Sequence, residues 1–366
     1  MNMTDTFFVP SFGNRPKHLV GRESILAQFE MVFQSIPGSR ERALLLFGQR
    51  GTGKTVLLLE LADMAKKKGF IVTDPTVVSY GMQNRIIEKL ADECPDYLSG
   101  AKKKASGGNV SVLGIGAGIQ FQNQAIEEKS FSWKITEYCK NANADHHGVL
   151  ILIDEVRSNS EELRELVIAY QEMVGKGMDV AMVLAGLPMA VSSLLNDHVL
   201  TFLNRATKIE LPLLRIDEIE LYYKQAFGPL GLNLSDVMIR KAAEETAGSP
   251  YLMQLIGHYI TLSYDEGLSV PQYEQAIGYA RNAFKNDICR TSLAPLSEQD
   301  KNFLSAMAID DKESSVDDIA LRLEKNASYI QTYKRRLIQS GIIENTSRGK
   351  VSFAVPYLKD YIREQD

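Results

Sequence analysis

The sequence has little cysteine and no long apolar run. Three cysteines occur among 366 residues, Cys94, Cys139 and Cys289, and none has metal-site spacing. An odd count at such distances argues against a disulfide framework and favours reduced thiols in a cytoplasmic protein. Residues 1–16 lack the basic-then-apolar order of a signal peptide, and apolar runs such as residues 148–153 are only strand-sized. We therefore expect neither secretion nor a membrane span.

The sequence also lacks an excess of positive charge. Lysine and arginine number 41 against 46 acidic residues, a formal net charge of −5. This balance argues against a general electrostatic nucleic-acid binder, although it leaves room for a local basic patch. The 45% hydrophobic and 24% charged residues are ordinary for a globular protein, and the length allows two or three domains.

Residues 43–55, ALLLFGQRGTGKT, combine a short apolar run with a glycine-rich loop. The run predicts a buried strand, the loop fits the phosphate-binding pattern G-x-x-x-x-G-K-[ST], and a helical pattern follows. Glycines allow backbone N–H groups to surround phosphates, and the helix directs its positive end to the same place. An ordinary glycine-rich turn is the alternative, which the strand–loop–helix order disfavours. The predicted nucleotide contacts are Gly48, Gln49, Arg50, Gly51, Thr52, Gly53, Lys54, Thr55 and Val56.

Within this loop, two side chains have specific predicted roles. We expect the Lys54 ammonium to reach the β- and γ-phosphates, as a catalytic as well as a binding group. We expect the Thr55 hydroxyl to contact Mg²⁺. The loop therefore predicts ATP with Mg²⁺ as the bound ligands.

Two carboxylates, Asp154 and Glu155, end the apolar run of residues 149–153. An uninterrupted apolar run is typical of a central parallel strand, and open α/β sheets bind ligands at the carboxyl ends of such strands. We expect Asp154 to hold Mg²⁺ through water, and Glu155 to orient and deprotonate the attacking water. Acidic residues are also favoured at helix N-caps. A P-loop about 100 residues upstream favours the catalytic interpretation.

Strands alternate with helices from residue 43 to 211, which predicts an α/β fold with a mostly parallel sheet. After Pro212 the pattern becomes purely helical, and the chain then ends in three helices and a hairpin. This order predicts a P-loop core at residues 1–212, a helical lid at 213–290, and a winged helix-turn-helix domain at 291–366.

Residues 102–121 interrupt the core pattern with a run of three lysines and a predicted glycine-turn hairpin. A basic run beside an exposed hairpin could contact DNA or a partner. A packed excursion beneath a solvated loop is equally compatible with the sequence.

Basic residues cluster on the last predicted helix and on the predicted wing, where such folds meet DNA phosphates and grooves. The candidate contacts with double-stranded DNA are Lys334, Arg335, Arg336, Arg348 and Lys350. Residues 334–336 are consecutive, so they fan across roughly 200° of the helix and cannot all face one groove. We expect Gln331, Lys334 and Arg335, on the side away from the domain core, to be the most exposed. The domain is close to neutral, and packing against its own core or a protein partner is the alternative.

The set of motifs resembles the AAA+ and STAND ATPases, particularly prokaryotic members with a helical lid and a C-terminal winged helix. The specific parts are the Walker A loop at residues 48–55 and the Walker B strand ending in Asp154 and Glu155. Residues 20–23 resemble the N-terminal element that packs on adenine, and residues 248–250 match the G-x-P signature of STAND lids. The resemblance implies a five-stranded sheet and an ATP-driven switch or assembly cycle. It implies base contacts from Val20, Gly21, Arg22 and Pro250.

Two departures concern the expected sensors of the γ-phosphate. The position after the fourth strand, residues 185–188, offers no polar sensor, and the G-x-P element stands where a lid arginine is expected. Arg205 is the remaining candidate for a sensor or an arginine finger, because a cation there would offset charge developing in phosphoryl transfer. A structural cation capping a helix is an equal alternative. These departures predict slow phosphoanhydride hydrolysis.

Two functions fit these observations. One is an ATP-hydrolysing switch that binds DNA through its winged helix. The other is a STAND-type signalling scaffold that uses ATP as a switch ligand and contacts protein through the winged helix. Either is compatible with a homo-oligomer or a protein partner, and we expect no membrane association.

Overall fold

A computed structural model of the protein describes residues 7–10, 16, 18–97, 129–157, 159–264 and 267–365. The hairpin and lysine run expected at residues 102–121 lie outside the described residues.

The core contains a parallel sheet, which confirms the predicted α/β class. Its strands are β1 (Ala43–Phe47), β2 (Ile71–Val72), β3 (Thr76–Val77), β4 (Val149–Asp154), β5 (Val180–Gly186) and β6 (Thr207–Glu210). The order is β2-β4-β5-β1-β6, and β3 also pairs with β4. β2 and β3 pair one after the other with β4, so together they form one interrupted edge strand. The sheet therefore has five strand positions. Pro75 lies in the interruption, where its missing N–H costs no ladder bond.

Helices cover both faces of the sheet. One face carries α1 (Glu23–Gln34) and α2 (Lys54–Lys67). The other carries α3 (Met82–Glu93), α4 (Phe131–Ala144), α5 (Glu161–Gly175) and α6 (Pro188–Leu195). Successive strand residues point to opposite faces, so Leu44 and Leu46 pack with α2 while Leu45 packs on the other side. This two-sided burial explains the uninterrupted apolar runs of the central strands.

Among the described residues of 213–284, called here the lid, the chain forms four helices. They are α7 (Ile216–Phe227), α8 (Asp236–Glu245), α9 (Pro250–Ser263) and α10 (Val270–Phe284). Serine hydroxyls accept from backbone N–H groups at the starts of α8, α9 and α10, as expected for N-caps. The chain stays helical beyond α10, through a π-turn (Lys285–Cys289) into α11 (Arg290–Leu293). The boundary predicted between residues 290 and 291 therefore falls inside a continuous helical run.

Residues 291–365, called here the C-terminal domain, contain the three helices and hairpin that the sequence predicts. The elements are α12 (Glu298–Ala308), β7 (Ser314–Ser315), α13 (Val316–Leu323), α14 (Ala327–Gln339), β8 (Ile343–Ser347), β9 (Lys350–Phe353) and a final helix α15 (Leu358–Arg363). β7 joins the hairpin in an antiparallel sheet of order β7-β9-β8. The lid and the C-terminal domain share one apolar core, in which Phe284 of α10 belongs to the same cluster as Phe303 and Leu358.

Candidate nucleotide-binding site

The P-loop connects β1 to α2 and has the backbone that its glycines permit. Gly51 and Gly53 have φ of 76° and 91°, a left-handed conformation that glycine adopts without steric cost. Gly48 is required by close approach, because a Cβ there would lie 2.9 Å from both Leu211 Cβ and Thr52 Oγ1. Thr52 Oγ1 donates to the Gln49 carbonyl at 2.8 Å. The loop is therefore a compact cradle at the N-terminus of α2, which suits phosphate.

Lys54 lies inside this cradle. Its Nζ donates to the carbonyl oxygens of Gly48 at 2.9 Å and Gln49 at 2.7 Å. Burial lowers the pKa of Lys54 to about 8, although the negative charge of Asp154 opposes this shift. Arg50, which is exposed, lowers the pKa further. To reach a phosphate, the ammonium must leave these two carbonyl oxygens.

The two predicted magnesium residues meet directly. Thr55 Oγ1 donates to Asp154 Oδ2 at 2.6 Å, although the residues lie 99 positions apart in sequence. Asp154 is the last residue of β4 and is only 4% exposed. A hydroxyl and a carboxylate are hard oxygen donors of the kind that Mg²⁺ prefers, so this pair fits the ion.

Glu155 follows Asp154 at the carboxyl edge of the sheet and is exposed. Its φ is 50°, a conformation uncommon for any residue other than glycine, asparagine or aspartate. The backbone N–H of Glu155 donates to Asp154 Oδ1 at 2.8 Å, which holds this turn. The charge of Glu155 also opposes the lowering of the Lys54 pKa, as expected for neighbouring groups. Strained residues of this kind are frequent at functional sites.

The N-terminal element lies between the P-loop and the lid. The Arg22 guanidinium is buried and donates to Thr52 O at 3.2 Å and Pro212 O at 2.9 Å. Burial lowers its pKa, and Glu218 opposes the shift. Arg22 therefore ties the P-loop to the segment that enters the lid. Both hydrogen bonds come from Nη2, and a base contact by Arg22 stays a prediction.

Val20 and Gly21 line a cleft of about 540 Å³ beside α7. That volume lies within the range typical of small-molecule sites. Gly21 has a φ of 62°, and Glu218 occupies the space that a side chain there would need. The first residues of the element therefore remain candidates for the base, whereas Pro250 does not line this cleft.

The G-x-P element instead faces the P-loop. A Cβ on Gly51 would lie 3.5 Å from Tyr251 Cβ and 3.8 Å from Ser249 Oγ. Pro250 is the first residue of α9, and Ser249 caps the helix by accepting from Leu252 N at 3.3 Å. The positive end of α9 thus lies beside the phosphate loop. Sequence reasoning missed Tyr251, for which adjacency to the G-x-P motif was the available signal.

Arg205 lies at the opposite edge of the sheet. It ends a 3₁₀ turn (Thr201–Arg205) just before β6, and it is exposed. The register pairs Thr207 with Leu44, so Arg205 is level with a residue six positions before Gly48, roughly 20 Å along the strand direction. This placement argues against a contact between Arg205 and the γ-phosphate of its own chain, because a residue preceding a parallel strand lies away from the P-loop edge. The arginine finger stays a prediction.

The predicted DNA-contacting cations have different environments. Arg336 Nη2 lies 2.5 Å from Oδ2 of the fully buried Asp300, and Lys350 pairs with Glu313. Both cations form ion pairs within the C-terminal domain, yet each side chain is 47% exposed, so their contact with DNA stays a prediction. A sequence separation of 36 residues hides the Arg336 partner from local patterns.

The exposed side of α14 has a different composition from that expected. Ser328, Gln331, Thr332 and Arg335 are exposed and recur at spacings of three and four, so they share a face. Lys334 is half-buried, so the expectation that it is among the most exposed residues of α14 is wrong. Arg348 is exposed in the β8–β9 turn. This face offers side chains able to pair with both phosphates and base edges.

Two family models match parts of this chain. Residues 18–178 match the family described as AAA ATPase domain, and residues 286–362 match one described as a domain of unknown function. No curated protein matches the sequence. Among the residues that the structure describes, no helix combines the length and apolarity needed to cross a bilayer.

Two solved structures are similar over nearly the whole chain. A Walker-type ATPase of Pyrococcus abyssi is 15% identical with a TM-score of 0.69, covering 95% of this chain and 97% of that one. The ORC2 protein of Aeropyrum pernix, in ADPNP–ADP complexes, is 14% identical with a TM-score of 0.64, covering 97% and 96%. Likeness at this identity shows the fold, a P-loop α/β core with helical additions. Residues 18–178 are in addition similar to the AAA ATPase domain family.

Proposed function

We propose that this protein is an ATP-binding and ATP-hydrolysing switch whose C-terminal domain binds double-stranded DNA as a winged helix. The observation that carries the nucleotide part is the meeting of Thr55 and Asp154, 2.6 Å apart, beside Lys54 and Glu155. These four side chains come from two distant segments, and the parallel sheet brings them to one edge. The nucleotides bound in the structurally similar ORC2 protein support the same ligand here.

Each group has a role that its chemistry allows. Lys54 would contact the β- and γ-phosphates, and Thr55 and Asp154 would hold Mg²⁺. The ion, when bound, supplies positive charge that neutralises the phosphate oxygens. The Glu155 carboxylate would orient the attacking water and accept its proton. The slow turnover that we propose follows from the lack of a polar residue in the sensor position after β5, where Leu187 and Pro188 stand, and from the lack of a lid arginine.

An arginine supplied by a second copy of the chain would complete this site. Arg205 is exposed on the edge of the sheet opposite the P-loop, so it cannot reach its own nucleotide but is accessible to a neighbour. A cation acting in this way offsets charge in the transition state. Homo-oligomer formation is therefore part of the proposal.

The DNA part rests on the exposed face of α14. Gln331, Thr332 and Arg335 are exposed together, and the second half of a helix-turn-helix is the element that enters the major groove. Glutamine and arginine are the side chains that pair bidentately with adenine and guanine. Arg348 in the turn of the wing is placed to contact phosphate.

A second candidate is the STAND-type scaffold, in which the C-terminal domain contacts protein. The ion pairs of Arg336 with Asp300 and of Lys350 with Glu313 favour it, because they leave fewer cations for phosphate. In that case ATP acts mainly as a bound ligand.

A duplex titration at two salt concentrations separates the two candidates. DNA binding predicts an affinity that falls steeply with salt, and each lost phosphate contact flattens the log–log slope by about one unit. The double variant Arg335→Ala, Arg348→Ala should weaken binding and reduce the slope by up to about two. Lys301→Ala on α12, which removes a cation of the same domain that belongs to neither α14 nor the wing and pairs with Glu298, is the matched control. Absence of salt-dependent duplex binding, with and without ATP, would favour the scaffold.

A further inference from the structure

The P-loop contacts the C-terminal domain through Gln49. Gly341, between α14 and β8, is buried and has a φ of 72°. A Cβ at this position would overlap Oε1 of Gln49 and lie 2.8 Å from its Cδ. The Gln49 side chain thus fills the space that any larger residue at position 341 would need. Gly341 is required both by its backbone and by this contact.

A second point of the P-loop contacts the joint between the lid and the C-terminal domain. A Cβ on Gly51 would lie 3.9 Å from Cδ1 of Ile288, which belongs to the π-turn. Tyr251 of α9 fixes this turn, because its hydroxyl donates to Asp287 Oδ2 at 2.7 Å. Helix α14 also packs on α6 of the core. The C-terminal domain therefore contacts both the P-loop and helix α6, which follows β5.

The lid and the C-terminal domain are built to move as one unit. Besides their shared apolar core and the continuous helical run from α10 to α11, polar contacts join them. Tyr357 donates to Glu245 Oε2 at 2.7 Å, and Arg281 Nε donates to the same oxygen at 2.9 Å. Lys285 pairs with Glu364 at 2.6 Å. A change at the P-loop contact would therefore move both parts together.

We propose that Gln49 couples phosphate binding to the orientation of the C-terminal domain. The Gln49 carbonyl accepts from Lys54 Nζ at 2.7 Å and from Thr52 Oγ1 at 2.8 Å. The Lys54 ammonium must leave this carbonyl to reach a phosphate. Phosphate binding therefore changes the hydrogen bonds of Gln49, the residue whose side chain contacts Gly341. The proposal rests on the nucleotide part of the proposed function and is independent of the DNA part.

The contact sets the direction of α14 without covering its outer face. Gln331 and Arg335 remain exposed while Gly341 is seated on Gln49. Phosphate binding would therefore change where this face points relative to the core. Phosphate binding would thus reorient the exposed face of α14, whereas an autoinhibitory contact would cover it.

The test measures the distance between the core and the C-terminal domain in the full chain. Spin labels at Gln171 and Asn345, both exposed, report it by double electron–electron resonance in a Cys94→Ser background. ADPNP with Mg²⁺ is the probe ligand, and its binding is followed separately by displacement of a fluorescent ADP analogue. We expect one narrow distance distribution without nucleotide and a shifted distribution with it.

Gly341→Asn tests the contact, because asparagine tolerates left-handed φ but its side chain collides with Gln49. We expect this variant to shift or broaden the distribution without nucleotide. Gln49→Gly in the same chain should restore the narrow distribution, because the asparagine side chain at position 341 then fills the space that the Gln49 side chain leaves empty. Restoration also shows that Gly341→Asn had folded. An unchanged distribution in Gly341→Asn, or no restoration by Gln49→Gly, would overturn the contact.

Gln49→Gly alone tests the coupling. We expect a broad distribution that ADPNP no longer shifts, whereas the control Lys67→Ala, at an exposed position of α2 outside the P-loop, keeps the nucleotide-dependent shift. If ADPNP binds the parent chain but leaves its distribution unchanged, the coupling is refuted while the nucleotide site stands. If ADPNP does not bind the parent chain, the nucleotide part of the proposed function fails, and the coupling fails with it.

Discussion

The lowered pKa of Lys54 makes nucleotide affinity depend on pH in an unusual range. An exposed lysine keeps its charge to about pH 10, whereas burial lowers the Lys54 pKa to about 8. The protonated form is the one that attracts phosphate, so raising the pH through 8 removes the binding species. If only the ammonium form binds, the ADP association constant should fall by about tenfold between pH 7 and 9.

Neighbouring charges predict the direction in which this midpoint moves. Asp154 raises the Lys54 pKa, so Asp154→Asn should move the midpoint to lower pH. Arg50 lowers the same pKa, so Arg50→Ala should move it to higher pH. Opposite shifts from two single variants are a signature that a general loss of folding would not produce.

The assay is a titration with a fluorescent ADP analogue at half-unit pH steps, with EDTA present to separate the effect from Mg²⁺ binding. Lys54→Ala is the control and should show weak, pH-independent binding over the same range. Affinity that stays constant for the parent protein up to about pH 9.5 would refute the reasoning, as would midpoint shifts of the same sign in both variants.

Three further predictions address catalysis, assembly and stability. Lys54→Ala should abolish ATP binding, whereas Glu155→Gln should bind ATP and hydrolyse it slowly, since an amide cannot accept the proton; equal loss of binding in both would contradict these roles. Arg205→Ala should keep ATP affinity and lower turnover, and mixing it with Glu155→Gln should restore some activity if Arg205 acts on a second copy; no recovery together with a lowered melting temperature would indicate a structural role. Arg336→Ala removes the cation beside the buried Asp300 carboxylate, which keeps only its Ser297 donors, and should destabilise the C-terminal domain by about 1–3 kcal/mol, measured by denaturant unfolding. An equal effect of Arg335→Ala would show that the ion pair is unimportant.

The sequence by itself determined the P-loop, the two carboxylates after β4, and the alternation of strands and helices. Each of these depends on local chemistry. Glycines at fixed spacing permit the φ of Gly51 and Gly53, and an apolar run of strand length can be buried on both faces only inside a parallel sheet. The helices of the lid and the C-terminal domain were predictable in the same way, from apolar spacing and serine caps.

Only the tertiary structure decided what the charged residues do. Arg205 precedes the fifth predicted strand at a plausible place in the sequence, but the parallel register of β6 beside β1 puts it away from the P-loop. Arg336 finds a buried carboxylate 36 residues away, and Arg22 finds two carbonyl oxygens in separate segments. The contact of Gln49 with Gly341 joins positions almost 300 residues apart. Such partners are chosen by the packing of whole elements, and local spacing carries no information about them, because a side chain's neighbours across a fold depend on strand order and domain placement.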